Sequence, residues 1–128
     1  MNKADYCFVC GKENPIGLKV DIQVEEGKAW FYFYPKKEYE GWEGIVHGGI
    51  ISSLLDEAMV WACKYYGVDV VTGELKVRYV SPFYLKYEKV FVEGRIIKHK
   101  GPLFLGEGEV LTEDRIVIAR AWSKMVKK

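Results

Sequence analysis

Gly44-Ile45-Val46-His47-Gly48-Gly49-Ile50-Ile51-Ser52-Ser53-Leu54-Leu55-Asp56-Glu57-Ala58 is the stretch that decides how this chain folds. The apolar run it opens continues through Met59, Val60, Trp61, Ala62 and Tyr65 to Gly67. Those apolar side chains cover almost every direction around a 3.6-residue turn. The spacing therefore predicts a buried helix over 48–66, not a one-faced surface helix, with Gly67 as its stop. Ser52, Ser53, Asp56 and Glu57 form a polar strip along it.

Upstream of this helix, Leu18, Val20, Ile22 and Val24 alternate with Lys19, Asp21, Gln23 and Glu25, the period of a half-buried strand. Glu25-Glu26-Gly27-Lys28 reads as a hairpin turn, with Gly27 suited to a positive φ. Residues 29–34 (AWFYFY) make a second strand, aromatic on both faces and stopped by Pro35; residues 36–46 form a loop. Downstream, four strands are expected at 70–80, 88–98, 103–111 and 116–125. Their short connections imply antiparallel neighbours. Residues 1–17, ending in Asn14-Pro15-Ile16-Gly17, are turn-rich and read as a leader loop before one domain at 18–128. The order is β-β-α-β-β-β-β. A helix apolar all round needs cover on several sides, and one curved antiparallel sheet wrapped around it supplies that cover. Laid on a flat sheet, its far side would stay wet at about 25 cal/mol per Å² of apolar surface.

Composition bounds the function. With 128 residues, 49% hydrophobic, the chain can fill one core but not two. Nineteen Lys+Arg against eighteen Asp+Glu leave no basic footprint for nucleic acid. No apolar run approaches the roughly 18 residues of a membrane span, and residues 1–5 carry no signal-peptide core, so a cytoplasmic location is expected. Cys7, Cys10 and Cys63 are an odd number and argue against a disulfide framework. Cys7-x-x-Cys10 has metal-ligand spacing, but no second pair follows and only two histidines exist. No metal is assigned on this basis; two chains pooling four thiols around one zinc is the route left open. Cys63 is expected to pack as a small apolar residue, and Trp30, Trp61 and Trp122 in core or interface.

Two features of the opening stretch carry chemistry. His47-Gly48-Gly49 begins the helix, where first-turn N–H groups have no intrahelical partner and the helix dipole adds to their pull on a developing oxyanion. Asp56, mid-helix after two leucines, is placed to accept a proton from water. A tight entry turn, a capping histidine and a solvated polar strip are the structural alternatives. The two features are nine positions apart, or about 13 Å at 1.5 Å per residue. Gly48 N–H and the Asp56 carboxylate of one chain thus cannot address the same carbonyl carbon. If both act, they come from two chains with antiparallel helices, which predicts a homodimer with two equivalent sites.

The segment HGGIISSLLDEA resembles the helix motif of the PaaI-type and THEM4-like hotdog-fold thioesterases, and the leader CFVCGKENPIGL and the segment VVTGELKVRYVSP resemble the corresponding parts of those proteins. The resemblance runs from about residue 7 to residue 112. It implies the hotdog fold (α+β, about six antiparallel strands around one long helix), hydrolysis of acyl-CoA to free acid and thiol, and a dimer, with a tetramer open. It places the general base or nucleophile on Asp56, the oxyanion N–H on Gly48 or Gly49, a thioester-orienting role on His47, and a water-assisting hydroxyl on Thr72. Where some relatives carry an Asn six residues before the His, this chain has Gly41. Glu57 is the fallback base. Arg95, Lys98, His99, Lys100 and Gly101 fit the CoA phosphate end, with Arg78 a weaker candidate, and Trp42 is the aromatic best placed to touch the acyl group. No cofactor is implied beyond the coenzyme A of the substrate. Two other functions stay open: an acyl-thioester hydratase or dehydratase, disfavoured by the lack of a second histidine near Asp56, and a non-catalytic acyl-CoA-binding protein.

Overall fold

The computed structural model describes residues 5–128; residues 1–4, part of the N-terminal opening read above, lie outside it. The first pairing forms at the hairpin turn. Glu26 (φ 39°) and Gly27 (φ 75°) both adopt left-handed backbone, the twist that suits a two-residue hairpin loop. They join β1 (Gln23–Glu25) to β2 (Lys28–Phe33). Of the strand expected over 18–25, only Gln23–Glu25 is one. Leu18 and Val20 are buried as its alternation predicts, but their N–H groups donate to Phe8 and Val9 of the leader, not to a sheet partner. Lys19 at φ 53° breaks the extended run between them. Residues 5–17 of the leader are themselves folded down, and Val9 joins the core.

After a 3₁₀ turn at Lys37–Tyr39, α1 (Gly48–Ala62) begins. The expected helix over 48–66 is α-helical only to Ala62. Residues Cys63–Tyr66 tighten into a 3₁₀ turn, and Gly67 closes it at φ 73°. Four long strands follow: β3 (Val70–Tyr79), β4 (Val90–Lys100), β5 (Leu103–Thr112) and β6 (Val117–Lys127). β4 runs past its expected end at 98 through His99 and Lys100. The sheet order is β1-β2-β4-β5-β6-β3, with every pair antiparallel. Chain order misleads at one step. β3 does not pair with β4; it pairs with β6 at the far edge, and the segment 80–89 crosses between them. This is the hotdog fold, with α1 lying against all six strands.

The inward row of β2 (Ala29, Phe31, Phe33) is buried and its aromatic partners Trp30 and Tyr32 face outward, where they stack with Phe91. At Gly94 of β4 the sheet comes against the helix backbone. A Cβ there would lie 2.6 Å from the Ala58 carbonyl carbon and the Met59 nitrogen. One side of α1 is nevertheless open within the chain: Ser52, Ser53, Asp56 and Val60 are only half-buried. Glu57, grouped with that strip in the sequence, lies about 100° further round the helix and is buried beneath the leader. Trp30, Trp61 and Trp122 are half-buried, not core, and Trp42 is 85% exposed.

Candidate active site

The loop before α1 is fixed by its backbone. His47 N–H donates to Tyr39 O (2.7 Å), Val46 N–H to Phe83 O (2.8 Å) and Gly41 N–H to Ile45 O (2.8 Å). Glu40 braces it from within, its Oε2 accepting from Gly44 N–H at 2.7 Å. That hydrogen bond holds the Glu40 carboxyl below its ordinary range, with Lys37 contributing in the same direction. A glycine at 41 is favoured by close approach, since a Cβ there would sit 3.1 Å from His47 Cα. The asparagine that some relatives carry at this position would crowd the histidine here.

The entry to the helix sorts the candidate oxyanion donors. His47 is the N-cap, and its Nδ1 accepts from Gly49 N–H at 2.8 Å. Ile50 and Ile51 N–H both donate to His47 O. Gly48 N–H is the first-turn donor left without a partner among the described residues. Gly48 also lines a cleft of about 890 Å³ together with Trp42, His47, Ile51 and the segment 79–83, whereas Gly49 does not. Because Nδ1 accepts a hydrogen bond, the neutral His47 ring carries its proton on Nε2.

Asp56 lies on the open side of α1. Thr72 Oγ1 donates to Asp56 Oδ1 at 2.7 Å, and no ion pair involves Asp56 among the described residues. One chain therefore brings Asp56 and Thr72 together but leaves them out of the His47–Gly48 cleft. Their separation follows from the nine helical positions between His47 and Asp56.

Sequence reasoning missed Tyr79. Its hydroxyl donates to Gly48 O at 3.0 Å and lies 2.5 Å from Ser52 Oγ, and its ring forms part of the cleft wall. A plain period of two from Thr72 would turn residue 79 outward. The bulge between Thr72 and Glu74 shifts the parity, so Leu75, Val77 and Tyr79 follow Thr72 on the helix side. A glycine inside an alternating strand, Gly73, was the available signal.

The candidate CoA-end residues lie along β4 and in its turn to β5. Lys98 and Lys100 are exposed, and Gly101 has φ 56°. Arg95 is engaged by Glu107 (2.5 Å) and Glu93 (3.6 Å). His99 stacks on Phe104 and packs against Tyr66. Register places the turn at Asp56's end of the sheet: Thr72, Met125, Phe104 and His99 share one row. Three strand spacings make that row about 14 Å long. Arg78, on β3, is exposed and pairs in register with Arg120.

Residues 43–119 match the model of the thioesterase superfamily. The chain belongs to that superfamily. A relative of this thioesterase-superfamily chain, SSO2140 of Saccharolobus solfataricus, provisionally named an esterase, is 33% identical over 99 residues. The match covers 76% of this chain and 59% of that protein, so the chain spans well under two thirds of that relative. Among solved structures, the thioesterase superfamily protein RHA08564 superposes with a TM-score of 0.88 at 26% identity, over 95% of this chain and 60% of that one. A hypothetical thioesterase of Streptococcus pneumoniae TIGR4 superposes with a TM-score of 0.79 at 14% identity, over 85% of this chain and 90% of that one. It has been solved with coenzyme A, and as two variants in which an aspartate and a threonine sixteen positions apart are replaced by alanine. Among the described residues, no helix is long and apolar enough to cross a membrane.

Proposed function

We propose that this chain hydrolyses acyl thioesters, with an acyl-CoA as substrate, at sites shared between two copies of itself. The observation that carries the proposal is the half-buried Asp56 on the open face of α1, held on one oxygen by Thr72 and, among the described residues, without a partner on the other. The sixteen-residue separation of Asp56 and Thr72 equals that of the two positions altered in the pneumococcal thioesterase, which supports the same pairing here.

In this reading the helices of two protomers run antiparallel, and Asp56 of one faces Gly48 of the partner subunit. Asp56 takes a proton from water as the oxygen attacks the thioester carbonyl. The Gly48 N–H stabilises the tetrahedral oxyanion. The intermediate then expels the thiolate, which recovers the proton from Asp56. Direct attack by the carboxylate to form an anhydride is the competing route. Thr72 orients the carboxylate. His47 holds the helix entry and offers Nε2–H toward the thioester. Trp42, exposed in the single chain, would gain cover from the acyl group or the second protomer. Lys98, Lys100 and the Gly101 backbone are the proposed phosphate contacts, and a phosphate reaching Arg95 would compete with Glu107.

A panel of acyl-CoA thioesters with free-thiol detection tests the reaction. Asp56→Ala is expected to lower kcat at least about a hundredfold, the scale of a lost acid/base group. Near-normal turnover would remove Asp56 from the mechanism. Complementation tests the shared site. Gly48→Pro deletes the proposed oxyanion donor at a helix position that tolerates proline. Mixed with Asp56→Ala chains and re-annealed, half the dimers carry one intact site, restoring about a quarter of wild-type activity from two inactive parents. No recovery from exchanged dimers would refute the two-chain arrangement.

A further inference from the structure

Glu57 follows Asp56 but faces the opposite business. Its carboxylate is buried (8% exposed) and accepts from Trp61 Nε1 at 2.9 Å. Cys7 Sγ lies 3.6 and 3.5 Å from its two oxygens. No Lys or Arg among the described residues pairs with it. A buried carboxylate without a cation is costly.

The leader delivers two thiols to this carboxylate. Cys10 N–H donates to Cys7 Sγ (3.5 Å) and Gly11 N–H to Cys7 O (2.9 Å). The turn is wound so tightly that a Cβ on Gly11 would lie 2.4 Å from Asp5 O and Cys7 N. The result is a Cys-x-x-Cys-Gly loop with a backbone N–H aimed at the first sulfur. Both sulfurs and the Glu57 carboxylate place their donor atoms within 4.8 Å of one another. Burial, followed by the hydrogen bond and charge of Glu57, pushes the Cys10 thiol up from its ordinary range, as expected where anionic groups gather without a counter-charge. The spacing also fits an ion. Zn–S of about 2.3 Å and Zn–O of about 2.1 Å at a tetrahedral angle put sulfur and oxygen about 3.6 Å apart, against the observed 3.5 and 3.6 Å.

We propose that Cys7, Cys10 and Glu57 of one chain bind a single zinc ion that staples the leader to α1. The fourth position is left to solvent or an added ligand, and binding releases the thiol protons. The pooling of thiols from two chains, the only route visible in the sequence, is unnecessary, because the third ligand comes from the helix fifty positions beyond Cys7. The proposal is independent of the hydrolase reading.

Titration of the reduced, metal-stripped full chain with Co²⁺ tests it. A sulfur-to-cobalt charge-transfer band should rise to saturation at one ion per chain, be displaced by Zn²⁺, and vanish in Cys7→Ser and Cys10→Ser. Glu57→Gln should keep thiolate coordination but weaken Co²⁺ binding by about tenfold or more. Zn²⁺ should raise the melting temperature of the stripped wild type and leave Cys7→Ser unmoved. The proposal is overturned if wild type with its thiols verified as free gives no charge-transfer band, or saturates at one ion per two chains. It also fails if Glu57→Gln binds as tightly as wild type. The wild-type titration decides the matter even if a variant does not fold.

Discussion

Replacing Gly94 with alanine tests how the sheet holds the central helix. The added methyl would stand 2.6 Å from the Ala58 carbonyl carbon and the Met59 nitrogen and 2.8 Å from the Ala58 oxygen. Ordinary carbon contacts lie at about 3.5–4.0 Å, so β4 and α1 must separate by about 1 Å. No rotamer change can relieve the overlap, since the three nearest atoms are all backbone. Overpacking costs about 1–3 kcal/mol, and a backbone clash belongs at the upper end. Alanine returns about 0.4–1 kcal/mol by restricting the unfolded chain, leaving a net loss of about 2 kcal/mol. An unfolding entropy of about 2.1 cal/mol/K per residue, over 128 residues, converts this to a fall in Tm of about 7 °C. Urea denaturation and thermal melts at matched protein concentration measure it, with Gly73→Ala as control. Gly73 is exposed, and a Cβ there meets only Lys124 O at 3.5 Å. A Gly94→Ala loss under about 0.5 kcal/mol, or one no larger than the control's, would refute the claim that helix and sheet are in backbone contact here.

Further outcomes follow from the same geometry. His47→Ala removes the cap on Gly49 N–H and should cost about 1 kcal/mol of stability, measured by urea denaturation, with a fall in kcat/KM beyond what the stability loss explains. Glu40 is held below its ordinary range in the folded chain, so its contribution is complete above the unfolded carboxylate pKa and is lost as pH falls through the lower folded value. An acid titration of Trp42 fluorescence should show this transition, and Glu40→Gln should flatten it. Lys98→Ala with Lys100→Ala should raise KM for an acyl-CoA several-fold at low salt and weaken its salt dependence, while leaving KM for a short acyl-pantetheine thioester unchanged.

Much of the fold is legible in residue order. The run from Ile50 to Ala62 has no polar face wide enough for a surface helix, and hydrophobic periodicity reports such a segment directly. Gly27 and Gly67 mark backbone that L-residues avoid. The errors arise where distant partners intervene. Leu18 and Val20 alternate like a strand, yet the leader takes their N–H groups. β3 precedes β4 in the chain but pairs with β6, because a curved sheet closes around the helix from both edges.

The site divides in the same way. Asp56 and the His-Gly-Gly entry are visible as chemistry in sequence because a carboxylate after two leucines and glycines at a helix start are locally unusual. The sequence by itself therefore determined the helix, the strand succession and the residues on which hydrolysis is proposed to rest. Only tertiary structure decided which glycine N–H is unclaimed, that a bulge at Gly73 puts Tyr79 on the helix side of its strand, and that Glu57 meets Cys7 and Cys10. The physical reason is that periodicity encodes which face of an element is buried, whereas partner choice depends on groups fifty residues away that only the folded backbone brings within hydrogen-bonding distance.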